Sequence, residues 1–140
     1  MTVTDFLLPV FVQVFLIFVV MVLMGRARVA SVSRGEVKIE DIALDNRNYT
    51  PRARQFANNF SNQFEMPMLF FVLIAFILIT RVFGTPLLVL AWIFVLSRIA
   101  HAFVHVTSNN VMWRMAAFSL AALVLFIMWL IFAIQILTAA

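Results

Sequence analysis

The sequence contains no cysteine, which excludes a disulfide framework, a thiolate metal site and redox chemistry by the protein's own thiols. Charge is scarce as well. Of the 140 residues 11% are charged and 65% hydrophobic, whereas a soluble domain runs about a quarter charged and about half apolar. Both departures exclude a water-soluble globule. No Lys or Arg precedes the first apolar run, and that run is too long for a secretory signal, so an uncleaved first helix is expected. The net charge is +4 from ten Lys and Arg against six Asp and Glu. Those basic residues are scattered among apolar runs, a pattern of membrane topology signals, and no nucleic-acid partner is expected. Neither an internal repeat nor a low-complexity tract is present, and the length allows one domain.

What the chain does have is long apolar runs. A bilayer core needs about 20 helical residues at about 1.5 Å each. Phe6 to Met24 meets this with one polar interruption, Gln13, whose simplest role is an interhelical hydrogen bond. Met66 to Thr80 is short, but Thr50-Pro51 reads as a cap followed by proline at the first helical position. That helix therefore enters the bilayer before its apolar part and carries Asn62 and Glu65 below the interface. Pro67 removes a main-chain donor and bends it. Gly84-Thr85-Pro86 starts a third helix, and Asn110 caps a fourth. The expected architecture is a single all-α membrane domain over 1–140. Its helices lie near 5–25, 51–81, 86–107 and 111–138, with a loop near 26–50 and a short interfacial helix within 36–45.

Arg26, Arg28, Arg34, Lys38, Arg47, Arg52 and Arg54 cluster between the first two crossings, whereas the opposite side has essentially Arg81. The positive-inside rule places the long loop in the cytoplasm and both termini outside. Ionisable groups within the crossings are functional candidates by default. Arg54, Asn58, Asn62 and Glu65 share one face of the second helix, and Arg98, His101 and His105 share one face of the third. Glu65 and Arg98 come to similar depth, within about 6 Å, so an ion pair between them is expected. Such a pair is open to two readings, helix packing or a ligand pocket. The added histidines and asparagines favour the pocket. No carboxylate shares the histidine stripe, so no metal site is expected. Arg114 lies at the pocket mouth, where it either snorkels or meets an anionic ligand. Ala117 and Ala121 allow a neighbouring helix to approach closely.

The stretch Asn58-Asn59-Phe60-Ser61-Asn62-Gln63-Phe64-Glu65-Met66-Pro67 resembles the second-helix signature of the MAPEG proteins, the membrane-associated proteins in eicosanoid and glutathione metabolism. Arg98-Ile99-Ala100-His101, with His105 and Arg114, resembles the family's third- and fourth-helix signature. The resemblance covers nearly the whole chain and suggests a bacterial-type member, in a bacterial inner membrane. It implies a homotrimer of four-helix subunits in the lipid bilayer, with glutathione as co-substrate between neighbouring subunits. It further implies a transferase or peroxidase activity on a lipophilic small molecule. Carried over, Arg26, Asn62, Glu65, Arg98, His101, His105 and Arg114 hold glutathione, and Arg114 is the catalytic arginine beside the thiol. His105 stands where well-studied members have a tyrosine. The alternative is a non-catalytic member that binds another anionic ligand or lipid.

Overall fold

The computed structural model describes residues 1–139, and among them helices and turns are the only regular structure. The elements are α1 (Val3–Ser33), α2 (Ile39–Ile42), a 3₁₀ turn (Asn46–Asn48), α3 (Pro51–Asn62), α4 (Met66–Thr80), α5 (Thr85–Val106) and α6 (Val111–Ala139). Four segments are long and apolar enough to cross a membrane: Val3–Ser33, Pro51–Thr80, Thr85–Val106 and Val111–Thr138. The protein is an integral multi-pass membrane protein.

Local chemistry sets the ends of these helices. Thr2 and Asp5 form a reciprocal capping box at the start of α1. The Thr50 hydroxyl accepts from Ala53 N–H at 3.3 Å, with Pro51 opening α3. Asn110 Oδ1 accepts from Met112 N–H at 3.0 Å and Trp113 N–H at 3.1 Å, capping α6. Arg81 ends α4 in the left-handed region, at φ 56°.

Two boundaries differ from the sequence reading. The first helix does not stop near 25 but continues about two turns further, to Ser33. Nothing between Gly25 and Ser33 breaks a helix, so Arg26 and Arg28 ride on α1 and not in a loop. The second crossing is not continuous over 51–81. It breaks at Gln63–Glu65, where Pro67 deprives the Gln63 carbonyl of its helical donor. The loop that remains holds the four-residue α2. Within it the Arg47 side chain, and next its main-chain N–H, bind the Asp45 carboxylate and hold it below its usual range. With Arg47 exposed and Asp45 half-exposed, this pair adds little to stability.

The bundle divides into two halves of different chemistry. Toward the Gly84 turn, Phe70, Leu73, Ile77, Leu87, Phe94 and Met128 form a dry core, with Phe70 stacked on Phe94 at 4.6 Å. Toward the loop, buried polar groups replace it. Gln13 Nε2 donates to Gln63 Oε1 at 3.1 Å, and Gln63 Nε2 donates to Asn59 Oδ1 at 3.1 Å. Asn59 Nδ2 in turn donates to the Ala102 carbonyl at 3.3 Å. All three amides are buried, and they tie α1, α3 and α5 into one unit.

A second set of bonds finishes α5. A helix leaves its last four carbonyls without donors, and in hydrocarbon each such orphan costs several kcal/mol, about as much as an unpaired amide. Here all four are filled. Phe103 O accepts from Thr107 N–H at 3.1 Å and Val104 O from Asn109 N–H at 2.8 Å. His105 O accepts from Gln55 Nε2, and Val106 O from Arg52 Nη1 at 2.8 Å. The α3 side chains thus lock onto the end of α5 in antiparallel register.

Two measurements check this account. Asn110→Ala should lower the unfolding free energy in mixed micelles by about 1 kcal/mol, with Asn110→Asp near wild type. Gln63→Leu should cost about 1–3 kcal/mol, because it strands the Gln13 and Asn59 amides. Adding Gln13→Leu should recover part of that loss, giving a coupling of about 0.6–1.7 kcal/mol in the double-mutant cycle.

Candidate functional site

At the loop-bearing end, the last turn of α3, the second half of α5 and the first turns of α6 enclose a cleft of about 250 Å³. Asn62, His101, Val111, Arg114, Met115 and Phe118 line it. Each polar member is placed by its element. Asn62 ends α3, and its Nδ2 donates back to the Asn58 carbonyl at 2.8 Å. Arg114 follows the Asn110 cap, and its Nη1 donates to Asn109 Oδ1 at 2.6 Å. Asn109 has a left-handed backbone, φ 51°, which asparagine tolerates better than most residues. The Arg114 guanidinium therefore meets a neutral amide and no carboxylate.

His101 is held by the main chain of α6. Its Nδ1 lies 3.0 Å from the Arg114 carbonyl. A carbonyl only accepts, so the neutral ring carries its proton on Nδ1 and keeps a lone pair on Nε2. That Nε2 is buried without a protein partner. The ring stands edge-on to His105 at 5.7 Å and tilted to Phe118 at 5.9 Å. His105 is also buried, with Nδ1 unpartnered, and lies behind His101 off the cleft wall. Arg98 is buried completely. Its Nη2 donates to the Asn62 carbonyl at 2.9 Å, while Nε and Nη1 have no protein partner.

Of the residues singled out in the sequence, Asn62, His101 and Arg114 meet at one cleft, with Arg98 and His105 packed behind them. Glu65 and Arg26 do not line it; both are exposed on the outside of the chain. The expected Glu65–Arg98 ion pair is not formed. Among the described residues the one carboxylate–guanidinium contact within 4 Å is Arg47–Asp45. The helix break explains the difference. Glu65 adopts φ −85° and ψ −95°, which takes its side chain out of the α3 face. Arg98 meanwhile satisfies a carbonyl that the break has freed.

The expected α3 stripe also faces another way. Arg54, Asn58 and Glu65 are exposed, and Asn62 alone reaches the cleft. The face that meets α1 and α5 carries Arg52, Gln55, Asn59 and Gln63, about a quarter-turn round the helix. These four were not singled out, although their 3, 4 and 4 spacing is as regular as that of the exposed stripe. On α1 the basic residue turned toward α3 is Arg28, not Arg26. Its Nη2 donates to Asn46 Oδ1 at 3.3 Å, its guanidinium lies 5.0 Å from the Tyr49 ring centre, and it lines a second hollow with Asn58 and Ser61.

Chemically, the cleft presents donors from Arg114 and Asn62 beside the His101 ring, whose Nε2 is buried. Two guanidinium groups flank the histidines, so the surroundings favour an anion over a metal ion. No cluster of three or more potential metal ligands occurs among the described residues.

The MAPEG family model matches residues 6–134, a span that includes every wall of the cleft. No curated protein and no solved structure gives a match. With four candidate crossings, no strand among the described residues and a match over most of its length, the chain belongs to the MAPEG family, which includes glutathione-dependent transferases and peroxidases as well as non-catalytic members.

Proposed function

We propose that this protein is a glutathione-dependent membrane enzyme, of the transferase or peroxidase type, that acts on a lipophilic substrate as a homotrimer. The observation that carries this reading is the meeting of Asn62, His101 and Arg114 at one cleft, with the Arg114 guanidinium paired only to a neutral amide. A thiol attacks as its anion, and a guanidinium within a few ångströms favours that anion. Arg114 is the catalytic residue on this account. It stabilises the glutathione thiolate, the thiol proton leaves to solvent, and the sulfur lone pair forms the bond to the electrophile, whose leaving group departs with its bonding pair; with a peroxide the O–O bond breaks and the departing alkoxide takes a proton from solvent.

The rest of glutathione is a multiply charged peptide. Arg26 and Arg114 suit its carboxylates, Asn62 and His101 its amides, and Glu65 its ammonium, with Arg98 and His105 buried behind the cleft. Glu65 and Arg26 lie on the outside of a single chain, as a site completed by a neighbouring subunit requires. The long basic segment faces the cytoplasm by the positive-inside rule, in a bacterial inner membrane with both termini outside. The lipophilic partner enters from the bilayer, past exposed apolar residues such as Trp113 and Met115. A transmembrane pathway is disfavoured by the dry core that closes the opposite half.

A second reading, a non-catalytic member that binds another anion, is favoured by one feature. His105 stands where a tyrosine is expected, and its ring is shut behind His101.

Calorimetry on the detergent-solubilised protein separates the two. The enzyme reading expects glutathione to bind and to raise the unfolding temperature. Arg114→Ala and Glu65→Gln should each weaken binding about tenfold or more, the worth of a charge-assisted hydrogen bond. Wild type should also show the near-ultraviolet absorbance of a bound thiolate, absent in Arg114→Ala. Binding with neither thiolate nor turnover of a generic electrophile supports the second reading, and no binding at millimolar glutathione overturns the first. Light scattering in detergent should give a mass of three subunits; a monomer overturns the shared site.

A further inference from the structure

Among the described residues Arg98 is the largest fully buried side chain, and no carboxylate of theirs lies within 4 Å of it. Taking such a charge out of solvent costs several kcal/mol even after relaxation, by the usual order of magnitude. Packing alone does not account for its presence. Its one hydrogen bond reaches the Asn62 carbonyl, at the break between α3 and α4.

The main chain there leaves the Asn62 carbonyl without a donor. Gln63 N–H and Phe64 N–H turn back to Phe60 O and Ser61 O, both at 3.0 Å, tightening the end of α3. The next main-chain bond is Met68 N–H to Glu65 O at 3.3 Å. No main-chain donor reaches the Asn62 carbonyl, and Pro67 has no N–H to offer Gln63. Arg98 Nη2 supplies the missing donor, and as a charged group it does so more strongly than an amide.

We propose that Arg98 is a positioning residue. It clasps the α3–α4 break through the Asn62 carbonyl and thereby fixes the directions of Asn62, toward the cleft, and Glu65, away from the α3 face. The consequence for ligand binding rests on the glutathione reading above; the clasp itself does not. Under this account Arg98 acts through the main chain, and its unpartnered Nε and Nη1 are not ligand contacts. A lysine, which also places a charged donor at the end of a long stem, should therefore substitute for it. A guanidinium that gripped a carboxylate through two nitrogens could not be so replaced.

The test compares Arg98→Lys, Arg98→Met and Arg98→Gln in the full-length protein in detergent. Hydrogen exchange is followed without ligand at the Gln63 and Phe64 amides, which are bonded to Phe60 O and Ser61 O, and glutathione affinity by calorimetry. In Arg98→Met the break amides should exchange about tenfold faster or more, an opening confined to that segment, while the interior of α6 changes little. Glutathione affinity should fall about tenfold in the same variant, and Arg98→Lys should restore both quantities to within about threefold of wild type. Unchanged exchange at the break in both Met and Lys variants overturns the proposal. So does a Lys variant that keeps slow exchange yet binds glutathione as weakly as Met, since the guanidinium then touches the ligand. If Arg98→Met does not fold, Arg98→Gln, a neutral donor, takes its place in the same comparison. If wild type does not bind glutathione, the functional reading fails while the exchange measurements still decide the clasp.

Discussion

In a bilayer a main-chain carbonyl without a donor has no water to turn to. The same need, milder where the turn at 107–110 is exposed, shapes the loop-bearing half of this protein. The α5 helix must end where α6 turns back, and its last carbonyls would be orphaned there. Arg52 and Gln55 of α3 close two of them, and the main chain of the α5–α6 turn closes the others. The same turn carries Asn109, which engages the Arg114 guanidinium, and Asn110, which starts α6. The cleft is thus a by-product of satisfying helix ends: whatever fixes the register of α3 against α5 also fixes Asn62, His101 and Arg114 relative to one another.

Much of this was legible in the sequence, and the part that was not has a physical reason. Thr50-Pro51, Gly84-Thr85-Pro86 and Asn110 are local signals, because a cap or a proline acts within one turn. Rotation of a helix about its axis is not local. The 3.6-residue period shows that Arg54, Asn58 and Asn62 share a face, and equally that Arg52, Gln55, Asn59 and Gln63 share another. Which of the two turns inward is a separate question. In α3 the buried Ala53 and Phe56 mark that inward face, a signal that the polar spacing alone does not carry. The paired depth of Glu65 and Arg98 failed for a related reason. It assumed a continuous helix, and the break at Gln63–Glu65 turns the chain just where the carboxylate sits.

The division of the bundle also bears on where chemistry takes place. The half near the Gly84 turn is held by dispersion contacts such as Phe70 against Phe94 and buries no charge. The half near the loop holds Arg98, His101, His105 and the amide chain of Gln13, Gln63 and Asn59. Dense apolar packing gives the first half rigidity, and that rigidity anchors the ends of α4, α5 and α6. The polar bonds of the second half then set α3 against that scaffold, which suits a site that must hold donors at fixed directions.

A carboxylate or guanidinium facing hydrocarbon carries a cost of about 2.5–3.5 kcal/mol at mid-membrane and less toward the interface. Glu65 lies at the break between the polar α3 and the apolar α4, exposed on the single chain and without a protein partner within 4 Å. Arg98, a short distance behind it, has unspent donors. The two are complementary in sign and yet separated by the turn of the chain at Phe64. Bringing them together would require α3 to continue straight into α4, which Pro67 opposes. An exposed carboxylate beside an apolar helix calls for compensation from outside the chain, and the proposed two-copy site would supply it.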